Sequence, residues 1–493
     1  MRAIAFALVS VLALSPARAD SELDTARETP LTDLFAAATK SAPALESVAF
    51  SLAEARAQQA TAEGPHDLTL AAIADYQRVK GAPSVPGLPG DSSTTKLYEI
   101  SLRKLLPTNG LLELVGNAVE SDTDLSGMPS DTVTSAVKVR LTQPLLRGVG
   151  PAAANRLRES AKLRVSAAGA RRAAEARAFA VDLVRAYWEL SLAWRKVEIA
   201  RASADLAKKQ QTIVEGGIRT GKLSQSEVYP VQQAFATRQQ DIALAELDVI
   251  ERSIALRRLV GLDVTPEAAA LKPAMLRPLE KSATAPTDVT GLITRALEIS
   301  DELRAAREEK RAADAALAGA RRERLPRADL ELEAGPLGTA TTLGASTSKL
   351  GDGYTVGARL TIEVPLGNHT GRGIYESDHA TAVDATYQLA RTRNDVAADV
   401  TRMVHAARAH LVAAQEGTRA VEAAVANVDA ETKKFELGKS TSAEIVRRQD
   451  ELQDVRLREA IERTSYEIAL AELDAATGAI LEKNGLKLID PWF

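Results

Sequence analysis

From Ala152 to Glu215 the sequence contains no proline and reads as one helix. At 1.5 Å per residue it would run roughly 95 Å, beyond the core of any single globular domain. Its apolar positions, among them Val181, Leu183, Val184, Trp188, Leu192, Val197 and Ile199, are interleaved with Arg, Lys and Glu. Such a stripe calls for partner helices rather than an enclosing core. Gly216-Gly217 and Thr220-Gly221 are expected to break the helix, and Ser224–Val260 to run back as a second one. A second such pair is expected at Gly373–Leu437 and Ser442–Gly478, turning at Gly438.

Each long helix is fed by a strand. Val133, Val137, Val139 and Leu141 share one face, with Ser135 the exception, while Thr134, Lys138, Arg140 and Thr142 lie on the other. Pro144 marks the change from period 2 to period 3.6, because proline cannot donate to a continuing ladder. The same switch recurs at Ile362–Gly371. Upstream, Leu68–Gln77 and Tyr98–Arg103 alternate in the same way, as do Leu330–Ala334 and Tyr354–Glu363, while Leu111–Glu120 alternates less cleanly. Gly81–Thr94, Ser121–Asp131 and Gly335–Gly353 read as polar loops, and Pro107–Gly110 as a tight turn. The strand segments run about nine to thirteen residues, as a tilted transmembrane strand requires.

The halves are copies. At one constant offset Gly221 meets Gly438, Lys222 meets Lys439, Glu227 meets Glu444, Gln232 meets Gln449, Leu256 meets Leu473 and Gly261 meets Gly478. The expected organisation is a signal segment at 1–19, short helices at 20–65 and strands at 66–143. A helical hairpin (144–264) and a linker (265–288) follow. Then come short helices (289–326), a strand hairpin (327–365), a second helical hairpin (366–478) and a tail (479–493).

Arg2, the apolar run Ala3–Leu14 and Ala17-Arg18-Ala19 fit a secretory signal cleaved before Asp20. Removing Arg2 and Arg18 would take the net charge from −4 to −6, which implies no general affinity for nucleic acid. The absence of cysteine excludes disulfides, thiolate metal sites, catalytic Cys and a lipid anchor on Cys. His405 and His410 are five apart and do not share a helix face, so no metal site is expected. No nucleophile elbow, phosphate loop or clustered carboxylate pair is present. The chain reads as a non-enzyme without cofactors, and its terminal Trp492-Phe493 has no evident role.

Amphipathic strands cannot sit in lipid with unpaired edges, since each unsatisfied backbone group there costs several kcal/mol. Copies from several chains would have to close a barrel jointly, and the same copies would supply partners for the helices. The sequence resembles the TolC family of outer-membrane efflux proteins. The resemblance rests on Leu141-Thr-Gln-Pro-Leu-Leu, Ile362-Glu-Val-Pro-Leu-Gly-Asn, Leu325-Pro326, Phe435-Glu-Leu-Gly438, Ser442-Ala-Glu-Ile-Val446 and Ala471–Gly478. It implies a mainly α fold with β in two structural repeats. Long antiparallel coiled-coil helices would form a periplasmic tube, and strands would join a shared transmembrane β-barrel in outer-membrane lipid. It implies a homotrimer acting as a passive exit duct, with a periplasmic adaptor and a proton-driven or ATP-driven inner-membrane pump as partners. The family commonly supplies four strands per protomer, and the segments at 97–104 and 111–120 would add a hairpin.

By the same resemblance the turns at Gly217, Gly221, Lys222 and Leu223, and at Gly438, Lys439 and Thr441, lie at the periplasmic tip and meet the adaptor. Glu444 stands where the family places a constricting Asp, with Glu227 as its repeat mate and Arg447 where some members carry a second Asp. A ring of these carboxylates would favour cations. The plainer reading is a Glu444–Arg447 pair along one helix face, worth about 0.2–0.5 kcal/mol. Gln143, Pro144, Leu145, Pro365 and Leu366 mark the joint between barrel and helices. Helical hairpins alone would equally suit a periplasmic adaptor or another extended coiled-coil binding protein without a pore; strands in both halves argue for the channel. A secreted enzyme is disfavoured by the lack of a compact core pattern.

Overall fold

The computed structural model describes residues 28–81, 91–125, 128–264, 270–275 and 286–483. The signal segment, most of the 265–288 linker and Trp492-Phe493 lie outside the described residues. The chain forms two compact units, one of Met1–Phe50, Arg172–Asp301 and Arg393–Phe493, the other of Ser51–Arg171 and Glu302–Thr392.

The second unit holds an antiparallel sheet of six strands in sequence order: β1 (Thr69–Lys80), β2 (Ser92–Leu105), β3 (Leu111–Leu125), β4 (Met128–Pro144), β5 (Arg327–Ala340) and β6 (Gly353–Glu363). Strands β1 and β6 are its edges. The alternation sorts the side chains as the sequence implies. Leu70, Ile100, Leu114, Val139, Leu332 and Leu360 share one face, and its apolar side chains are turned outward: Leu70 is 68% exposed, Ile100 60% and Leu360 57%. The opposite face carries a linked set of charges, while Lys96 and Glu120 pair at 3.3 Å on the apolar face. Glu113 lies 2.7 Å from Arg103 and 3.4 Å from Arg140, and Glu333 lies 3.4 Å from both Arg140 and Lys138. This chain of ion pairs runs unbroken across β2, β3, β4 and β5.

Three loops expected from polar composition are shorter than their sequences suggest. Within Ser121–Asp131, β3 continues to Leu125 and β4 starts at Met128, because ladder hydrogen bonds need only backbone. Strand β2 begins at Ser92, inside the expected Gly81–Thr94 loop. Within Gly335–Gly353, β5 runs to Ala340 and Leu343–Ser348 forms a helical turn. That turn lies over the outward apolar face and accounts for Ser135: its hydroxyl meets that of Ser346 at 2.7 Å, with both residues buried. The strands are 11 to 17 residues long, more than the alternating cores alone indicate.

The first unit is helical apart from a two-residue parallel pairing of Glu28–Thr29 with Lys272–Pro273. The long helices are α1 (Arg156–Arg219), α2 (Val228–Val260), α3 (His369–Glu436) and α4 (Ser442–Ala476); α1 and α3 begin in the second unit and continue into the first. On α1, Leu183, Tyr187, Leu190, Trp194 and Val197 are buried at alternating spacings of four and three, the seam of a coiled coil. Val400, Val404, Ala407, Leu411 and Ala414 repeat that spacing on α3. Leu34, Phe35, Val249, Leu256 and Ile480 complete the core around the α1 seam. The described part of the linker is bound rather than loose: Trp194 donates to the Leu271 carbonyl at 2.8 Å, and Ser253 Oγ accepts from the Leu271 N–H at 3.0 Å. Gly216-Gly217 does not end α1, which continues to Arg219. Glycine there lowers helix propensity by about 1 kcal/mol, too little to stop a packed helix.

Candidate functional site at the two helical turns

The α1–α2 and α3–α4 turns carry most of the candidate site residues. Gly221 and Gly438 both take left-handed conformations, with φ of 74° and 69°, which an L side chain resists. In the first turn the Gly221 N–H reaches the Ile218 carbonyl at 2.9 Å, and the Lys222 N–H reaches the Gly217 carbonyl at 2.9 Å. In the second, Gly438 bonds Phe435 at 2.9 Å and Lys439 bonds Lys434 at 2.8 Å. The two helix ends are closed by the same wrapped pattern of bonds. The Thr441 hydroxyl caps α4 by accepting from the Glu444 N–H, whereas Ser224 accepts from the Ser226 N–H at the start of a 3-10 turn, Gln225–Glu227, that leads into α2.

Val214 and Val231 from the first hairpin pack with Phe435 and Ile445 from the second. Leu223 belongs to the edge of this cluster and is half-buried, held over Gly217. Of the side chains expected to point outward, Lys222, Lys439 and Thr441 do so, whereas Leu223 does not. Leu437 and Tyr229 do instead, at 71% and 64% exposure. A lone apolar residue in a turn gives no sequence signal of which way it faces.

The carboxylates behave differently from one another. The Glu227 carboxylate accepts the Ser442 N–H at 2.9 Å and lies 2.5 Å from Ser442 Oγ, which also reaches the Glu227 carbonyl at 2.9 Å. Ser442 is fully buried, so Glu227 ties the start of α4 to the start of α2. Glu444 is half-buried and lies 2.5 Å from Arg447 and 3.1 Å from Arg448, so the helix-face pair foreseen in the sequence is formed. Behind it, buried Glu431 accepts from Ser440 at 2.5 Å and Lys434 at 3.0 Å. The Ser440 hydroxyl and then Lys434 hold its carboxyl below the usual carboxylate range. Arg448, bonded to Glu451 and facing Glu444 and Glu431, is pushed up.

One further tie escaped sequence reasoning. Arg238 on α2, nine-tenths buried, pairs with Asp241 at 3.0 Å and with Asp450 on α4. Burial raises the Asp450 carboxyl, against the pull of Arg238. Arg238 and Asp450 are over two hundred residues apart, and nothing in spacing or repeat offset joins them.

The barrel–helix joint lies in the other unit. Gln143 spans it: its amide donates to the carbonyls of Thr108 and Pro144, and its oxygen accepts from Thr108 Oγ1 at 2.7 Å. Pro144 ends β4, and the Leu145 N–H closes on the Ala328 carbonyl at 2.7 Å. Leu145 and Leu366 are exposed, and Pro365 is half-buried. Among the described residues no three His, Asp or Glu side chains are placed to hold a metal. No described helix is long and apolar enough to cross a membrane.

The sequence profile described as "Outer membrane efflux protein" matches residues 108–262 and 292–479. Comparison with curated protein sequences gives no significant match. Among solved structures, the fold is similar to the outer-membrane channel OprN, with a TM-score of 0.70 at 15% identity, covering 91% of this chain and 90% of that one. The outer membrane protein VceC of Vibrio cholerae superposes with a TM-score of 0.68 at 16% identity, over 91% and 96% of the two chains. The CmeC outer membrane channel of Campylobacter jejuni does so with a TM-score of 0.68 at 12% identity, over 91% and 85%. The fold expected from the sequence, mainly helical with strands for a shared barrel, is the fold of these proteins.

Proposed function

The chain belongs to the outer membrane efflux protein family and serves as an exit duct in the outer membrane; we propose that three copies close it and that its helical turns form the periplasmic entrance. The observation that carries this reading is the six-stranded sheet with two open edges and an apolar face exposed beyond the Leu343–Ser348 turn. In water that face would be an aggregation surface, and in lipid its edges require partners. Ion pairs on the opposite face suit a wetted lumen.

Energy for export comes from an inner-membrane pump, joined to the duct by a periplasmic adaptor that docks on the turns around Gly217, Gly221, Lys222, Leu223, Gly438, Lys439 and Thr441. Glu444 with Arg447 lines the aperture there, and Glu227, occupied by Ser442, sets its position. Gln143, Pro144, Leu145, Pro365 and Leu366 hand the barrel over to the helices, between the 66–143 and 144–264 segments in the first repeat and the 327–365 and 366–478 segments in the second. Purified outer membranes should yield a heat-dissociable trimer that conducts in planar bilayers. A monomer in the soluble periplasmic fraction, with no conductance, would overturn the reading. For the aperture, Glu444→Gln should weaken block by multivalent cations, and unchanged block removes Glu444 from it.

A further inference from the structure

The two edges of the sheet are complementary to each other. Because the strand number is even, β1 and β6 run antiparallel, so β6 of one copy can add to β1 of the next without reversing direction. They are matched in length, at 12 and 11 residues. They also carry opposite, unspent charges. On the polar face every charged side chain of the central ion-pair chain has its counterion. Asp75 on β1 and Arg359 on β6, on that same face, have no hydrogen bond or ion pair among the described residues and are exposed.

We infer that β1 and β6 of neighbouring copies form one seam, with Asp75 opposite Arg359, and that three copies thereby close a barrel of eighteen strands. The inference rests on the ring of copies proposed above and specifies its contacts. The register that brings Asp75 to Arg359 sets Ala72 beside Ile362, Ala74 beside Leu360 and Tyr76 beside Ala358 on the lipid side. Each pair sets a small side chain against a large one, and the opposite charges of Asp75 and Arg359 make a stabilising cross-strand pair. The register also keeps the apolar residues of both strands on one face; a slip by a single residue would turn one set into the lumen.

Strand number fixes width. With strands about 4.8 Å apart and tilted by about 40°, eighteen give a backbone radius of about 18 Å, against about 12 Å for twelve. A wall that wide leaves an aqueous channel rather than a bore filled by its own side chains. The barrel would then impose no sieve, and selection by size falls to the helical turns.

The chain lacks cysteine, so a cross-link reports on the seam without background. The paired variants Ala74→Cys/Leu360→Cys and Ile73→Cys/Thr361→Cys occupy adjacent rungs. One of the two is a non-hydrogen-bonded rung, where side chains approach more closely. Within a protomer the edges are five strand spacings apart, about 24 Å, far beyond the reach of a disulfide, about 7 Å between Cα atoms. Any cross-link therefore joins two copies. Oxidised full-length protein in its membrane should run as a covalent trimer after boiling in at least one pair. Each single variant, and the out-of-register pair Ala74→Cys/Tyr354→Cys, should stay monomeric. Asp75→Arg should reduce the yield of assembled trimer, and adding Arg359→Asp should restore it. A native trimer that cross-links in neither pair, or in the out-of-register pair, overturns the seam and leaves the exit duct standing. If no oligomer forms in the membrane, the duct reading falls first and the seam with it.

Discussion

The two helical turns descend from one sequence and hold their acidic residues in opposite ways. Gly221 and Gly438 share a left-handed φ and the same helix-closing hydrogen bonds. Glu227 and Glu444, the same step beyond them, share nothing but position. Glu227 is committed to the buried Ser442, while Glu444 sits between two arginines on its own helix. Their neighbours explain the divergence. Arg447 and Arg448 stand where the first repeat has Pro230 and Val231, and Ser442 stands where it has Gln225. Duplication preserved what the backbone needs and left each carboxylate to the partners its own surroundings supply.

The largest expected effect separates the carboxylates. Glu227→Ala leaves the buried N–H of Ser442 without its acceptor, while the hydroxyl keeps the Glu227 carbonyl, and should cost about 1–3 kcal/mol. Glu444→Ala breaks only surface pairs, at about 0.2–1 kcal/mol. Denaturant midpoints followed by helical circular dichroism compare the two, and equal losses would erase the distinction. The next effect should be the same in both turns: Gly221→Ala and Gly438→Ala each force an L side chain into the left-handed region, at about 1–2 kcal/mol. A clear inequality would mean that one turn has another conformation in the assembled channel. Gly216→Ala should act in reverse, stabilising by about 0.5–1 kcal/mol, because α1 is helical there and a methyl group meets open space.

The last difference is one of pH. Glu431 has no acidic counterpart, its repeat mate being Val214 inside the apolar cluster. Its folded-state value lies below the unfolded one, because the Ser440 hydroxyl and then Lys434 favour the carboxylate. Its contribution is therefore full above the ordinary glutamate value of about 4.3 and is lost as pH falls through the folded one. Hydrogen exchange, corrected for intrinsic rates, should show the second turn loosening in acid before the first. Simultaneous loosening, or the first turn leading, would assign the acid response elsewhere.

What could be read beforehand was what periodicity and glycine control. Alternation placed Leu70, Val139 and Leu360 on one face and Arg140 on the other, and the glycine spacing located both turns. Strand ends were hidden, because the backbone ladder carries Ser121–Asp124 past the end of the apolar alternation. Ser135 broke the pattern for a reason lying two hundred residues away, in the helical turn that covers it. The site was less legible. Repeat offset couples Glu227 with Glu444, whereas folding couples it with Ser442, and the Arg238–Asp450 tie follows from no periodicity at all. Side-chain partners across separate hairpins depend on three-dimensional register, which a local pattern does not encode.

The chain of ion pairs across the sheet bears on what the wall does to a passing solute. Arg103, Lys138 and Arg140 are offset by Glu113, Glu331 and Glu333, three positive charges against three negative within a few ångströms. Opposite charges so close cancel beyond about one screening length, near 8 Å at physiological ionic strength. At mid-lumen such a surface is electrically quiet. It wets the wall without concentrating either cations or anions, so solutes of either sign pass that level on equal terms.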